Sequence, residues 1–227
     1  MGDLMHVGHS AGAAAFLAEL DHFVATVSEL DDASLVAASH CRGWTVGDVL
    51  VHVHMGLQEM LLGLVSPATS EPDTDAGSYW AAPPPTNDDE ADRLDNVRFV
   101  RLLGAAYRRP TGVVRHLRPT TDAIRTAVPA LPPGAVRFQG HILATGDFLA
   151  TWAVELAIHQ LDLGREVTLA PPTAESLRLT RATIEALAGS PMPASWDDRT
   201  VALLGAGRVP PDAAQSVALG GRLPVLG

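Results

Sequence analysis

Residues 147–163 read DFLATWAVELAIHQLDL, a segment that as a helix is apolar almost all the way round. Such a helix is dry on every side, so it belongs at the centre of a bundle and not on its surface. It nevertheless carries ionisable groups: after Asp147 come Glu155, His159 and Asp162. At about 100° per residue these three fall in one narrow arc with Phe148 and Trp152, and Glu155 and His159 lie one above the other. A carboxylate and an imidazole taken out of water need a partner, because an uncompensated buried charge is strongly unfavourable. Two arrangements satisfy them. One is a Glu–His hydrogen-bonded pair with no function. The other is a divalent cation held between helices, as inward-pointing carboxylate and histidine ligands do in bundles.

A third ligand has to come from another helix. Thr45 followed by Asp48 has the form of a capping box, and opens a helix that runs to about residue 65. This helix offers His52 and His54, which are about 200° apart and cannot both face one site. Its apolar stripe is Val46, Val49, Leu50, Val53, Leu57, Met60 and Leu61. His54 lies nearer that stripe, whereas His52 shares a flank with Asp48, Gly56 and Glu59, so periodicity leans towards His54.

The rest of the chain is also helical in pattern. Ser10 is placed to cap a first helix over 11–29, and 30–44 is polar and turn-like. A long Pro-, Ser-, Thr- and Asp-rich loop spans 66–87; loops of this length are crossovers or functional lids, and Tyr79 and Trp80 within it either cover a pocket or anchor the loop. A third helical stretch covers 88–128, with Pro110 kinking it or starting a new helix. Thr145 or Asp147 caps the fourth helix, which reaches about 164, and a fifth runs over 172–188. The tail alternates Gly and Pro with short helices; the only weak strand candidates lie near 198–204 and 216–226. The expected fold is all-α, built on a four-helix core with a short, mostly helical C-terminal extension.

Composition removes several function classes. The net charge is −10 and the chain has no dense basic cluster, which speaks against nucleic acid as a partner. No apolar run is long enough to span a bilayer, and the opening MGDLMHVGHS lacks the basic and apolar regions of a leader, so no membrane association and a cytoplasmic location are expected. Every basic side chain is an arginine. Those on the third stretch, Arg98 or Arg101 among them, either bind a substrate carboxylate or form a solvated face. The single cysteine, Cys41, excludes an internal disulfide and reads as a packed, inert thiol.

The segment Gly43-Trp44-Thr45-Val46-Gly47-Asp48-Val49-Leu50-Val51-His52 resembles the G-W-T-x-x-D-x-x-x-H signature of the DinB-like metalloenzymes, in particular the mycothiol-dependent maleylpyruvate isomerase family of actinobacteria. Glu155-Leu156-Ala157-Ile158-His159-Gln160-Leu161-Asp162 is similar to that family's E-x-x-x-H-x-x-D element. The resemblance implies a DinB-like metal-binding four-helix bundle over 10–165, with the loop at 66–87 as its long crossover between helices 2 and 3 and an extension packed on it over 166–227. It also implies a metal site of His52, Glu155 and His159, which sets aside the leaning towards His54, and gives Asp162 a supporting hydrogen bond. Zinc is the first expectation for the metal, with nickel, iron or manganese also suited to the donors. The implied activity is attack of the cosubstrate mycothiol, as a thiolate, on a small-molecule electrophile, giving S-transfer or cis–trans isomerisation. His141, just before the fourth helix, is the candidate catalytic acid or base, or else a plain loop histidine. Two other functions fit the same fold: a thiol-independent hydrolase, lyase or tailoring enzyme, and a non-catalytic stress-response binding protein. The sequence leaves the oligomeric state open.

Overall fold

The computed structural model describes residues 5–81 and 90–226. The first four residues, residues 82–87 of the long loop, and the start of the third helical stretch at 88–89 lie outside them. Six helices form the first two-thirds of the chain: α1 (His9–Ser28), α2 (Asp32–Val36), α3 (Val46–Leu64), α4 (Glu90–Ala105), α5 (Gly112–Ala130) and α6 (Thr145–Leu163). Of these, α1, α3, α5 and α6 close a four-helix bundle, in which α1 packs on α6 and α5, and α3 packs on α5 and α6. The long crossover joins α3 to α5; it contains a 3₁₀ turn at Ser78–Ala81 and α4, which lies along α3. Pro110 falls in the break between α4 and α5, so it starts a new helix.

The central helix is α6. Every one of its residues is buried except Glu155, as its all-round apolar pattern requires. It comes unusually close to α1. A Cβ added at Gly12 would collide with the carbonyl of Gly146, and one added at Gly146 with that of Val7. Two facing glycines therefore allow the two backbones to touch.

Helix starts differ in part from expectation. The Thr45–Asp48 capping box is present on α3. However, α1 begins after Gly8, and α6 after Ala144, neither with a side-chain cap. Asp147 is instead used to tie down the N-terminal segment, accepting from the Val7 amide at 2.6 Å and pairing with His6 at 2.9 Å. Thr145 Oγ1 meets His9 Nδ1 at 2.8 Å.

A small antiparallel sheet was not foreseen: β1 (Pro67–Ala68), β2 (Ala135–Phe138) and β3 (His141–Ala144), in the order β1-β2-β3. The β2–β3 hairpin turns on Gln139 and Gly140, both at positive φ (48° and 84°), the geometry of a two-residue primed turn. Conversely, the weak strand candidates are not strands: 198–204 lies in α8 (Asp198–Gly205), and 216–226 is the end of α9 (Ala213–Leu219) followed by a turn and irregular chain; both helices follow α7 (Ala174–Ala188). Their starts are fixed by side chains, Asp197 accepting from the Thr200 amide and Asp212 forming a capping box with Gln215. A short apolar run such as Val201–Leu204 does not by its period distinguish strand from helix; the cap does. Leu179, Ile184, Met192, Val201 and Leu219 from this region join the same apolar core as the bundle.

Candidate functional site

Helix α3 buries Val46, Val49, Leu50, Val53, Leu57 and Met60 in the core, which turns the flank bearing His52, Gly56 and Glu59 towards α6 and an open cleft. His54 is buried on the other side, 3.0 Å from Thr120 Oγ1 of α5 and edge-to-face with His116. Periodicity alone favoured the wrong histidine for facing α6, because the stripe nearest the core is also the stripe farthest from the cleft.

His52, Glu155 and His159 converge. Each offers one ligand atom, and these atoms lie within 4.8 Å of one another. His159 Nε2 is 3.0 Å from Glu155 Oε1, His52 Nε2 is 3.8 Å from the same oxygen, and the two imidazoles meet edge-to-face. Trp44 packs beside His52, with ring centroids 5.2 Å apart. Burial disfavours the Glu155 carboxylate, but the charge and hydrogen bonds of His159, with those of His52, outweigh it and hold its pKa far below the usual range. Burial likewise opposes a charge on His159, yet Glu155, with hydrogen bonds to Asp162, Cys41 and Glu155, holds its pKa well above 6.5.

Behind His159 lies a second layer. Its Nδ1 is 3.0 Å from Asp162 Oδ2, so the ring presents Nε2 to Glu155 and His52. Asp162 is fully buried. Arg208, from the segment after α8, forks it, donating from Nε to Oδ1 at 2.6 Å and from a terminal nitrogen to Oδ2 at 3.2 Å. Cys41 Sγ also donates to Oδ2, at 3.2 Å, and burial pushes its thiol pKa up. Cys41, His159 and Asp162 are themselves close enough to form a donor set. The Arg208 guanidinium, bonded directly to Asp162, makes that side hostile to a cation.

The cleft above Glu155 has a volume of about 210 Å³. Tyr79, Trp80 and Trp152 are its aromatic walls, and Glu59, Gln139 and Thr151 its polar ones. Trp152 lies over Gly56, where a Cβ would stand 3.3 Å from its ring. Tyr79 Oη donates to Gln139 Oε1 at 2.6 Å, and Gln139 Nε2 donates to Glu59 Oε1 at 3.2 Å. Tyr79 and Trp80 thus line the pocket as well as anchoring the crossover. The sequence reading missed Gln139, Glu59, Trp152 as a wall, and Arg208. A Gln-Gly pair between two alternating runs was the available signal for Gln139; nothing local marks Arg208.

The remaining candidates are elsewhere. His141 opens β3, with Nδ1 3.0 Å from Thr74 Oγ1, and is neither in the ligand cluster nor among the cleft lining. Arg98 is exposed beside Asp95, and Arg101 borders a different groove with Asp48 and Tyr107. Among the described residues, no helix is long and apolar enough to cross a membrane.

Two solved structures share the fold. A mutant of the mycothiol-dependent maleylpyruvate isomerase matches with a TM-score of 0.59 at 14% identity, covering 88% of this chain and 90% of that one. A second structure of the mycothiol-dependent maleylpyruvate isomerase matches with a TM-score of 0.52 at 17% identity, covering 78% and 69%. No curated protein matches the chain. The family model for the mycothiol maleylpyruvate isomerase N-terminal domain matches residues 16–164, which runs from α1 through the last turn of α6 and takes in both halves of the ligand cluster, and the chain belongs to that family.

Proposed function

We propose that this protein is a divalent-metal enzyme that activates the low-molecular-weight thiol mycothiol for attack on a small electrophile, the outcome being S-transfer or thiol-assisted isomerisation. The observation that carries the reading is the meeting of His52, Glu155 and His159 at the floor of an aromatic cleft. The donors fit a cation. Two neutral imidazole nitrogens and a carboxylate are a common catalytic zinc set that leaves a coordination position open, and the Asp162 contact at His159 Nδ1 is the supporting bond such a ligand needs. Zinc is our first choice, with nickel, iron and manganese compatible with the same donors. The bound metal would supply Lewis acidity that lowers the pKa of a thiol in the cleft.

The chain's own residues do the rest. Asp162, held by Arg208, fixes the tautomer and tilt of His159. Trp152, Trp80 and Tyr79 exclude water from the reacting face and orient a flat substrate against it. His141 takes no part in this reading: it packs edge-on behind Tyr79, bonded to Thr74, and is not itself among the lining residues. We also propose that residues 10–165 form the metal-binding unit, with 166–227 as an extension that contributes Arg208 to it.

The test begins with metal. Protein purified without chelator or affinity-tag metal is analysed by mass spectrometry beside Glu155→Ala. Near-stoichiometric metal in the parent, lost in the variant, supports the site; folded parent that cannot be loaded with zinc or nickel overturns it. Thiol consumption is then followed with mycothiol and an electrophile. Metal without thiol turnover or binding would leave a thiol-independent metalloenzyme as the reading.

A further inference from the structure

The cleft has a charge balance and a shape that say more about its substrate than the metal ligands do. Its lining carries two carboxylates, Glu155 at the floor and Glu59 at the rim, against one imidazole, His52. A divalent cation on the floor and a thiol anion drawn to it would balance Glu155 and each other, leaving Glu59 unopposed. No arginine lines the cleft among the described residues. Arg137, on β2 nearby, is exposed on the strand face opposite Val136 and Phe138, which point inward. Arg98 and Arg101 stand beside Asp95 and Asp48 at other surfaces.

Glu59 is also held in place. Gln139 donates to it and accepts from Tyr79, and does so from a backbone with φ of 48°, a region where a long unbranched side chain is uncommon. The walls between floor and rim are aromatic. Trp152, only 7% exposed, and Trp80 present ring surface there, with their indole nitrogens turned away from the open space.

We infer that the cleft selects an uncharged substrate with a flat, apolar or aromatic body, and that it rejects anions of the same shape. The word substrate here rests on the proposed function; the selectivity is a property of the cleft and is testable by binding alone. Recognition of this kind works by a charge set against the wrong ligand as much as by contact with the right one.

The test compares methyl 2-naphthyl sulfone with 2-naphthalenesulfonate. The two have the same flat body and differ in charge, and the sulfonate is a poor metal ligand, so charge and not coordination is compared. Each is titrated into the metal-free full chain, whose cleft lining carries two carboxylates against one imidazole, while the indole N–H signals of the four tryptophans are followed by ¹⁵N NMR. The sulfone is expected to shift the Trp80 and Trp152 signals and to bind about tenfold or more tightly than the sulfonate, a difference of about 1.4 kcal/mol. Glu59→Gln, at an exposed rim position, should narrow that gap by strengthening the sulfonate. Equal or tighter binding of the sulfonate overturns the inference, and so does failure of both probes to move those indole signals. Because no thiol is present, a negative mycothiol assay leaves this result standing, and a negative result here leaves the mycothiol assay standing.

Discussion

Replacing Arg208 by leucine is expected to damage both stability and metal affinity, although Arg208 lies outside the ligand set. Asp162 is fully buried, and its pKa is held down, against burial, first by its hydrogen bond to His159 and then by the charges of His159 and Arg208. Arg208 supplies two of the contacts, at 2.6 and 3.2 Å. Removing one partner of a buried ion pair costs about 3–5 kcal/mol, because it leaves a charge without compensation. Here His159 and Cys41 remain on the carboxylate, which places the expected cost at the lower end, about 3 kcal/mol. For a chain of this size that lowers Tm by about 6–12 °C. Loss of a hydrogen bond that orients a metal-bound histidine lowers metal affinity by about 10–100-fold. The assays are calorimetric unfolding of metal-free protein, so that lost metal does not add to the change, and zinc competition against a chromophoric chelator. Arg208→Lys keeps the charge but not the fork and should fall between parent and leucine variant. A change below about 1 kcal/mol with unaltered zinc affinity would show that Asp162 does not depend on Arg208, and would refute the argument.

Four further outcomes are expected. His52→Ala should lose metal with little change in the Tm of the metal-free protein, whereas His54→Ala should keep metal and cost about 1–3 kcal/mol through the orphaned Thr120 hydroxyl; metal analysis and thermal unfolding on both variants separate the two. The folded-state pKa of His54 lies below 6.5, because of burial first and the charge of His116 second, so the unfolded chain binds more protons there; its contribution is present above pH 6.5 and lost as pH falls, and a pH series of urea unfolding should lose that slope in His54→Phe. His159, held well above 6.5 without metal, must release its proton to bind one, so zinc affinity should fall with falling pH and binding should release protons measurable by calorimetry in buffers of different ionisation enthalpy. Finally, Gly12→Ala should cost about 1–3 kcal/mol in urea unfolding, because the added methyl meets the Gly146 carbonyl and the helices must part.

The parts of the fold readable in the sequence were those whose signal is local and repeated. The α6 segment announced its burial by having no polar face, and α3 announced its start by the Thr45–Asp48 box. Glu155 and His159 were readable as a pair because four residues is one helical turn. His52 was not chosen by its own helix: which of two flanks faces α6 depends on how the helices cross, and that was supplied only by a resemblance of motif. The hairpin from 135 to 144 was missed because four-residue strands give too few alternations to stand out, although the Gln139-Gly140 turn was a usable sign. The tail misled because Val201–Leu204 is apolar in every period, while the Asp197 and Asp212 caps were the better evidence. Arg208 could not be found at all, since its partner is 46 residues away and the link exists only in three dimensions.

The seating of two of the three proposed ligands on α6 sets the order in which the molecule comes apart. Amide protons of a helix buried along its whole length exchange with deuterated solvent only when the domain opens globally, while short strands and single turns exchange through local fraying. His159 and Glu155 ride on the slowest-exchanging element. The Ser78–Ala81 turn and the Gln139 hairpin, which hold the opposite wall of the cleft, are among the pieces free to open first. Deuterium uptake should therefore divide the cleft across its middle, with Glu155, His159 and Trp152 on a floor that outlasts local fluctuation and a Tyr79–Trp80 wall that breathes without disturbing it.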